Sequence, residues 1–327
     1  MHYLVTGGAG YIGSHMVALL LEQGHRVTVV DDLSSGHRDV VLGGDLIVHD
    51  FSDRDFLDRL FTEHRFDGVF HFASRILVGE SVSQPGKYYR SNSFATLTLL
   101  EAMRDHGVDY LVFSSTAAVY GEPAYTPIDE RHPRVPVNPY GASKLMVEMM
   151  LADFYRAHGL RYVALRYFNA AGADARGRLG ECHEPETHLI PLALKAALGK
   201  LPPLKLFGDD YDTPDGTCIR DYIHVEDLCA AHLQAMQYMK NGGEPTAFNL
   251  GNGAGYSVRQ VLDTVADVSG KPVPFELAPR RSGDPARLIA DATRAQTILH
   301  WNPAHTELAT IVRHAWQWEC RQEGARP

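Results

Sequence analysis

The sequence has no apolar run long enough to span a bilayer. Its first apolar stretch, Tyr3-Leu4-Val5, stops at Gly7. That leaves no room for the charged and apolar regions of a secretory leader, and none is expected. Cysteine is scarce. Cys182, Cys218, Cys229 and Cys320 are the only four in 327 residues, and no two have Cys-x-x-Cys spacing. A disulfide framework is excluded, and the thiols suit a reducing compartment, so a cytoplasmic location is expected. There is no internal repeat and no low-complexity segment. Long runs of like charge are also missing, and the net charge is −9. Nucleic acid and anionic membrane are therefore poor candidates as main partners. An anionic ligand would have to be held by local basic residues.

What is present is the make-up of a soluble globular protein, with 45% hydrophobic and 22% charged residues. The length suffices for one large or two ordinary domains. Strand-like and helix-like patterns alternate through the first half. Strands are expected at 2–6, 26–30, 45–48, 68–72, 110–114 and 161–168. Helices are expected from Ile12 to near Gly24, around Phe56–Phe61, from Tyr88 to His106, and from Pro139 to near Gly159. Such alternation implies a doubly wound parallel sheet with ligands at the carboxyl ends of its strands.

The first strand runs into Gly7-Gly8-Ala9-Gly10-Tyr11-Ile12-Gly13. A turn of this kind lets a pyrophosphate touch backbone N–H groups at a helix N-terminus, where a Cβ would block it. The bare Gly-x-Gly-x-x-Gly spacing arises by chance about 0.2 times in a chain of this glycine content. Here it sits between strand and helix, and Asp31 follows Gly13 by 18 residues at the end of the next strand. That context points to a dinucleotide. Asp31 would bind an adenosine ribose and repel a 2′-phosphate, which favours NAD over NADP.

Tyr140 and Lys144 lie four residues apart on one face of the helix that Asn138 caps and Pro139 opens. A free tyrosine has a pKa of about 10, so roughly one in a thousand is ionised at neutral pH. Bringing it near 7 takes about 4 kcal/mol. An exposed lysine offers only about 0.2–1 kcal/mol. The pair can act as a base only in a partly dry site beside a second positive charge, and an oxidised nicotinamide carries one. Thr116, at the end of the fifth strand, could hold a substrate oxygen near Tyr140.

The second half is less regular. A loop region with short helices is expected over 171–186, and the domain junction is placed there. Domain one is then 1–170 and domain two 171–327, with some later segments allowed to return to the first. His183 and His188, with Glu181, Glu184 and Glu186, match no known ligand spacing and read as a solvated polar loop, so no metal is expected. Further helices are expected from His188 to Lys200 and from Ser257 to Gly270. Strands are expected at 202–208 and 248–251, and a strand followed by a helix over 217–228. A turn over 278–284 carries Arg280 and Arg281. Arg220 and Arg281 could clamp a diphosphate. Trp316 and Trp318 read as packing residues of the last helix.

Five segments then fall in a familiar order. They are Thr6 to Gly13, Ser114-Ser115-Thr116 with Val119-Tyr120-Gly121, Tyr140-Gly-Ala-Ser-Lys144, Arg166-Tyr167-Phe168-Asn169, and Arg220-Asp-Tyr-Ile-His-Val225. The chain resembles the UDP-glucose 4-epimerases, which are extended short-chain dehydrogenase/reductases, from Met1 to about Trp318. The resemblance implies a Rossmann sheet with a smaller C-terminal α/β substrate-binding domain. It implies a retained NAD, a UDP-sugar substrate and a homodimer formed through the Tyr88–His106 and Tyr140–His158 helices. Tyr140 would take the proton of the sugar 4-OH while hydride leaves C4, and the 4-keto sugar would turn and take hydride on its other face. Lys144 would keep Tyr140 acidic and Thr116 would hold the 4-oxygen. The cofactor contacts implied are Gly7, Gly10, Tyr11, Ile12, Gly13, Asp31, Asp50, Phe72, Ala73, Ser91, Ser114, Tyr140, Lys144 and Tyr167. The substrate contacts implied are Thr116, Tyr140, Asn169, His188, Leu189, Arg220, Tyr222, Arg281, Asp284 and Leu288.

Some positions depart from the family. Ile76 stands where some members place a cofactor-side lysine, and His188 where some relatives have asparagine. Leu288 falls at a gate that is bulky tyrosine in some members and small in those accepting N-acetylated sugars. UDP-glucose and UDP-galactose are the expected pair, with UDP-N-acetylhexosamine or UDP-pentose as the alternative. Dehydratases and decarboxylases are the rival class. Dehydratases place Asp-Glu after the strand-end threonine, and here those positions are Ala117 and Ala118.

Overall fold

The structure is a computed structural model and describes residues 1–281 and 284–322. The chain begins β1 (His2–Thr6), α1 (Tyr11–Glu22), β2 (Arg26–Asp31), β3 (Asp45–Val48), α2 (Arg54–Glu63) and β4 (Gly68–His71). Two short helices, α3 (Val78–Ser83) and α4 (Pro85–Tyr88), lead through a π-helical turn at Tyr89–Phe94 into α5 (Ala95–Asp105). Next come β5 (Tyr110–Thr116), α6 (Pro139–His158), β6 (Arg161–Tyr167) and β7 (Asn169–Ala171). Then follow α7 (Leu189–Ala197), β8 (Leu204–Phe207), β9 (Ile219–Arg220), β10 (Tyr222–His224) and α8 (Val225–Lys240). The chain continues as β11 (Thr246–Leu250), β12 (Tyr256–Ser257), α9 (Val258–Ser269) and β13 (Phe275–Ala278). It ends as β14 (Arg287–Leu288), α10 (Thr293–Ile298) and α11 (Leu308–Gln322).

Seven parallel strands form the main sheet in the order β11-β6-β5-β4-β1-β2-β3. Its central strands are apolar and buried on both faces, as parallel strands between helices must be. One face packs on α1 and α8 through Met16, Leu20, Leu228 and Met236. The other packs on α2, α5 and α6 through Leu57, Leu99 and Leu151. Strand order reverses between β1 and β4, and such a switch point opens a crevice for ligands. The expected doubly wound sheet is therefore present. Its seventh strand comes from Thr246–Leu250, which pairs with β6. We keep the two-domain division as a proposal, with 222–250 counted in the first domain. The smaller unit packs α7, α9 and α11 around its own core, which holds Ile190, Leu262 and Trp316.

The helix ends follow local chemistry. Asn138 Oδ1 takes the Gly141 N–H, and α6 stops at Gly159 with φ +77°. Ser257 and Gln260 form a capping box on α9. Three expectations need correction. The single helix over Tyr88–His106 is interrupted by the π-helical turn, where Asn92 bonds sideways to Arg75 and Ser143. The loop over 172–187 contains no helix. The strand expected within 217–228 is split at Asp221, whose carboxylate takes the N–H groups of Asn252, Gly253 and Ala290. Ser282 and Gly283, in the turn expected over 278–284, lie outside the described residues. Trp316 and Trp318 are buried, as expected.

Three buried histidines set an acid limit on this core. Burial lowers His71 to about 3 and His15 and His232 to about 4. In the unfolded chain each returns to about 6.5. Between those values the unfolded chain takes up protons that the folded chain refuses. The stability they contribute is present above about pH 6.5 and is lost as pH falls towards 4. Each histidine costs about 1.4 kcal/mol at about pH 5.5; buried His224, also lowered, adds to the loss, and His188, raised to about 10 beside Glu181, offsets part of it. Urea denaturation at about pH 7.5 and about pH 5.5 will show that loss, and His71→Asn will shrink it. An unchanged acid slope in His71→Asn counts against this account.

Candidate active site

The β1–α1 turn brings the glycines to the switch point. Gly7 has φ +73°, and a Cβ there would lie 2.5 Å from the Ala73 nitrogen. A Cβ on Gly13 would lie 2.1 Å from the Gly7 carbonyl oxygen. Both glycines let backbone meet backbone. Gly10 is different: a Cβ there meets only the Gly7 oxygen, at 3.4 Å, which is ordinary contact. The packing of the chain does not need glycine at 10, and the open space there suits a ligand lying over the turn. Gly10 is also the N-cap of α1 and offers no side chain to its first amides. This is the cradle a pyrophosphate fits. Gly10→Ala is expected to keep its fold by circular dichroism and to lose NAD affinity tenfold or more, about 1.4 kcal/mol. Gly13→Ala is expected to lose stability as well. A Gly10→Ala protein that copurifies with full NAD would contradict this reading.

Asp31 ends β2 beneath the turn, with Oδ2 on the Ala9 N–H and Oδ1 on the Leu33 N–H, both at 2.9 Å. Burial raises its pKa and the two amides oppose the rise. Asp50 lies exposed beyond β3, next in the sheet. Phe72 and Ala73 leave β4 with both N–H groups on the Thr6 carbonyl. Tyr11 donates its phenol proton to the Gly172 carbonyl at 2.7 Å, and Ile12 packs into the core. Their side chains are thus engaged within the protein. Ser91 lies in the π-helical turn and donates to the Lys87 carbonyl or Asn92.

The chemical end lies where α6 crosses the ends of β4, β5 and β6. Lys144 is 3% exposed, and its Nζ donates to Ser74 Oγ and the Ser114 carbonyl, each at 2.9 Å. Burial pulls this ammonium down to about 7. Ser114 Oγ and the Tyr167 hydroxyl share a hydrogen bond of 2.6 Å. Burial pushes the Tyr140 phenol above its usual value, and a hydrogen bond with Thr116 pulls it partly back. The sequence places Tyr140, Lys144, Thr116, Ser114 and Tyr167 in separate segments, and the fold brings them together.

Three supporting residues escaped sequence reasoning. Ser74 anchors Lys144 from across the site. Asn92 Nδ2 donates to Ser143 Oγ and to the Arg75 carbonyl, tying the π-helical turn to α6. Glu148 pairs with buried Arg166 and accepts from Ser115 Oγ. Only Glu148 left a signal, one helical turn beyond Lys144.

The substrate-side residues gather around β9 and β14. Leu288 pairs with Arg220, whose guanidinium donates to the Ile219 and Pro285 carbonyls and to Asp284 Oδ1 at 3.3 Å. Leu288 packs against the cluster of Ala117, Val119, Tyr120 and Ile128, whose first members follow β5. The Arg281 guanidinium stacks over the Phe207 ring at 3.9 Å, and its carbonyl takes the Asp284 N–H at 3.4 Å. Asn169 Nδ2 donates to the Asp221 carbonyl, and Tyr222 is buried opposite Asn169 in β7. His188 caps α7, and Leu189 is its first residue. The loop before them is not simply solvated. Glu181 is buried, and His188 Nδ1 lies 2.7 Å from its Oε1. Burial disfavours charge on both groups, but their attraction raises His188 and lowers Glu181.

A profile of the NAD dependent epimerase/dehydratase family matches residues 3–251. The chain belongs to this family. It is 54% identical over 318 residues to a UDP-glucose 4-epimerase of Halalkalibacterium halodurans, covering 97% of this chain and 95% of the relative. The crystal structure of a UDP-glucose 4-epimerase from Brucella ovis in complex with NAD is 48% identical, with a TM-score of 0.95 over 96% of this chain and 97% of that one. The Bifidobacterium longum enzyme in complex with NAD+ and UDP is 38% identical, with a TM-score of 0.94 over all of both chains. In this NAD dependent epimerase/dehydratase chain, Gly10 and Asp31 fit the nucleotide part of such a cofactor. Lys144, held between β4 and β5, fits the reacting end.

Proposed function

We propose that the chain interconverts UDP-glucose and UDP-galactose by reversible hydride transfer at C4 of the sugar, with NAD retained. One observation carries the choice of reaction within the family. Tyr140 stands near enough to Thr116, at the end of β5, for the threonine to draw its phenol pKa down, and the next two residues are Ala117 and Ala118. A Cβ on Gly141 would lie 2.4 Å from the Ala118 oxygen, so the start of α6 closes directly on this pair. Neither alanine can carry a proton, so elimination of water lacks the acid and base those positions would supply, while a reaction needing one proton in and out has what it needs.

NAD, held by the β1–α1 turn and Asp31, would supply a hydride acceptor and a positive charge to this site. Tyr140, as phenolate, takes the proton of the 4-OH and later returns it to the same oxygen. Thr116 Oγ1 accepts the Ala118 N–H at 3.1 Å, which leaves its own proton free to be donated. Lys144, anchored by Ser74 and Ser114, places its charge one helical turn from Tyr140. Arg220, with Asp284, and Arg281 would hold the UDP portion, next to Asn169, His188 and Leu189.

Leu288 is the side chain we assign to the sugar gate, because it packs against the cluster that holds Ala117. Leu288→Tyr is expected to lower UDP-N-acetylhexosamine turnover about tenfold relative to UDP-galactose, a loss of ~1.4 kcal/mol. An unchanged ratio of the two activities would sink this assignment. The expected homodimer is also part of this reading. Phe94, Met146 and Met149 are exposed on the two helices concerned, and those helices touch where Ser93 Oγ donates to the Ser143 carbonyl. Light scattering at micromolar concentration tests it. No helix among the described residues is long and apolar enough to cross a membrane. All four cysteines are free, which fits the cytoplasm.

An NMR time course with UDP-galactose and no added NAD tests the main reading. Conversion to UDP-glucose without net NADH supports it. No conversion even with NAD added rejects this sugar pair.

A further inference from the structure

We propose that Glu181, His183, Glu186 and His188 bind a first-row divalent cation, zinc by the nature of its ligands, in the loop between β7 and α7.

One ligand atom from each of the four residues lies within 4.8 Å of every other. Glu181 Oε1 is 3.0 Å from His183 Nδ1 and 2.7 Å from His188 Nδ1. Glu186 Oε2 is 4.0 Å from His183 Nδ1. Zinc bonds of about 2.0–2.2 Å put tetrahedral ligands roughly 3.3 Å apart, so these separations bracket the required edge. Two imidazoles and two carboxylates form a borderline donor set that suits zinc better than the all-oxygen shells of calcium or magnesium. Two neutral histidines and two carboxylates also balance a double positive charge.

Glu186 supplies the independent sign of a ligand. Its side chain is only 5% exposed. Its Oε1 is fully engaged, taking the N–H groups of Thr187 at 2.6 Å and His188 at 2.8 Å. Its Oε2 is buried and has no hydrogen-bond partner among the described residues. Leaving a buried carboxylate oxygen bare is costly. A proton shared by His188 between Glu181 and Glu186 would satisfy Oε1 again and leave Oε2 bare. A cation placed among the four satisfies it.

The site has a firm base. The Glu181 carbonyl takes the indole N–H of buried Trp318 at 3.1 Å, and a Cβ on Gly180 would strike that ring. The cation would tether the loop to the first residue before α7, and so fix His188 and Leu189 at the substrate side. A second cluster, His224, Glu226 and His314, is a poorer ligand set. His224 Nδ1 already accepts the Glu226 N–H and its Nε2 is bonded to His314 Nδ1. It serves as the control.

Untagged protein, stripped by chelator, would be titrated with zinc and read by elemental analysis, and separately loaded with cobalt(II) and read by visible absorption. Expected are one tight equivalent of zinc and the strong d–d bands of four-coordinate cobalt without a thiolate charge-transfer band. Glu186→Gln and His183→Ala should each lose the equivalent, and His314→Ala should keep it. Failure of the wild-type protein to hold zinc at micromolar concentration overturns the proposal. So does a thiolate band, which would point to neighbouring Cys182, or zinc retained by both variants. The wild-type cobalt spectrum decides even if a variant folds poorly.

Discussion

Tyr140→Phe is expected to lose about a thousandfold in turnover, within the 10²–10⁴ range typical of a positioned acid–base. The substitution removes one oxygen and keeps the ring, so the packing of α6 on the sheet is preserved. What disappears is the group assigned to take and return the 4-OH proton. The protein alone does not ionise Tyr140. Burial works against the phenolate, and Lys144, drawn down to about 7 by the same burial, is only partly charged at neutral pH. The remaining stabilisation, about 4 kcal/mol in all, must come from the assembled site. Turnover should therefore collapse in kcat, with KM for UDP-galactose and NAD content little changed. The NMR assay and the absorbance of released cofactor measure these separately. A variant that keeps more than about a tenth of wild-type kcat would remove Tyr140 from its assigned role.

Glu148→Ala is expected to cost about 3–5 kcal/mol of folding stability. Glu148 and Arg166 are 4% exposed each, and they pair through two bonds, of 2.6 and 2.9 Å. Ser115 Oγ donates a third bond to the same carboxylate. Removing the carboxylate strands the guanidinium in the core, with the Tyr120 hydroxyl as its remaining short contact at 2.9 Å. The pair fastens α6 to β5 and β6 one helical turn beyond Lys144, so activity should fall along with stability. Urea denaturation measures the loss. Replacing both residues with methionine should recover much of it, because no buried charge is then left unpaired. A cost below about 1 kcal/mol in the single variant would show that the site tolerates the bare charge.

The two ends of the site differ in how far they were legible. Gly7, Gly10, Gly13 and Asp31 could be read because their task is local: a strand, a tight turn and a helix start within a short stretch of chain. Tyr140 and Lys144 were readable for a similar reason, since a helix with a clear cap fixes which residues share a face. The resemblance to nucleotide-sugar epimerases then joined these pieces to Thr116 and Arg220. The burial of Glu181 within the largely polar loop over 181–188 was not legible, because it depends on Trp318 reaching it from the last helix. Ser74 and Asn92 carried no local mark, since their partners lie on α6, far along the chain.

By itself, then, the sequence determined the β/α alternation, the nucleotide turn, the helix that carries Tyr140, and the absence of acids after Thr116. Each follows from backbone preference, capping and side-chain period over a few residues. Only the tertiary structure decided that Thr246–Leu250 closes the main sheet, that Arg220 sits against Asp284 while Arg281 lies on Phe207, and that Leu288 reaches the end of β5. These depend on strand pairing and burial between distant segments. Their free energy arises only when the segments meet, and no local pattern records it.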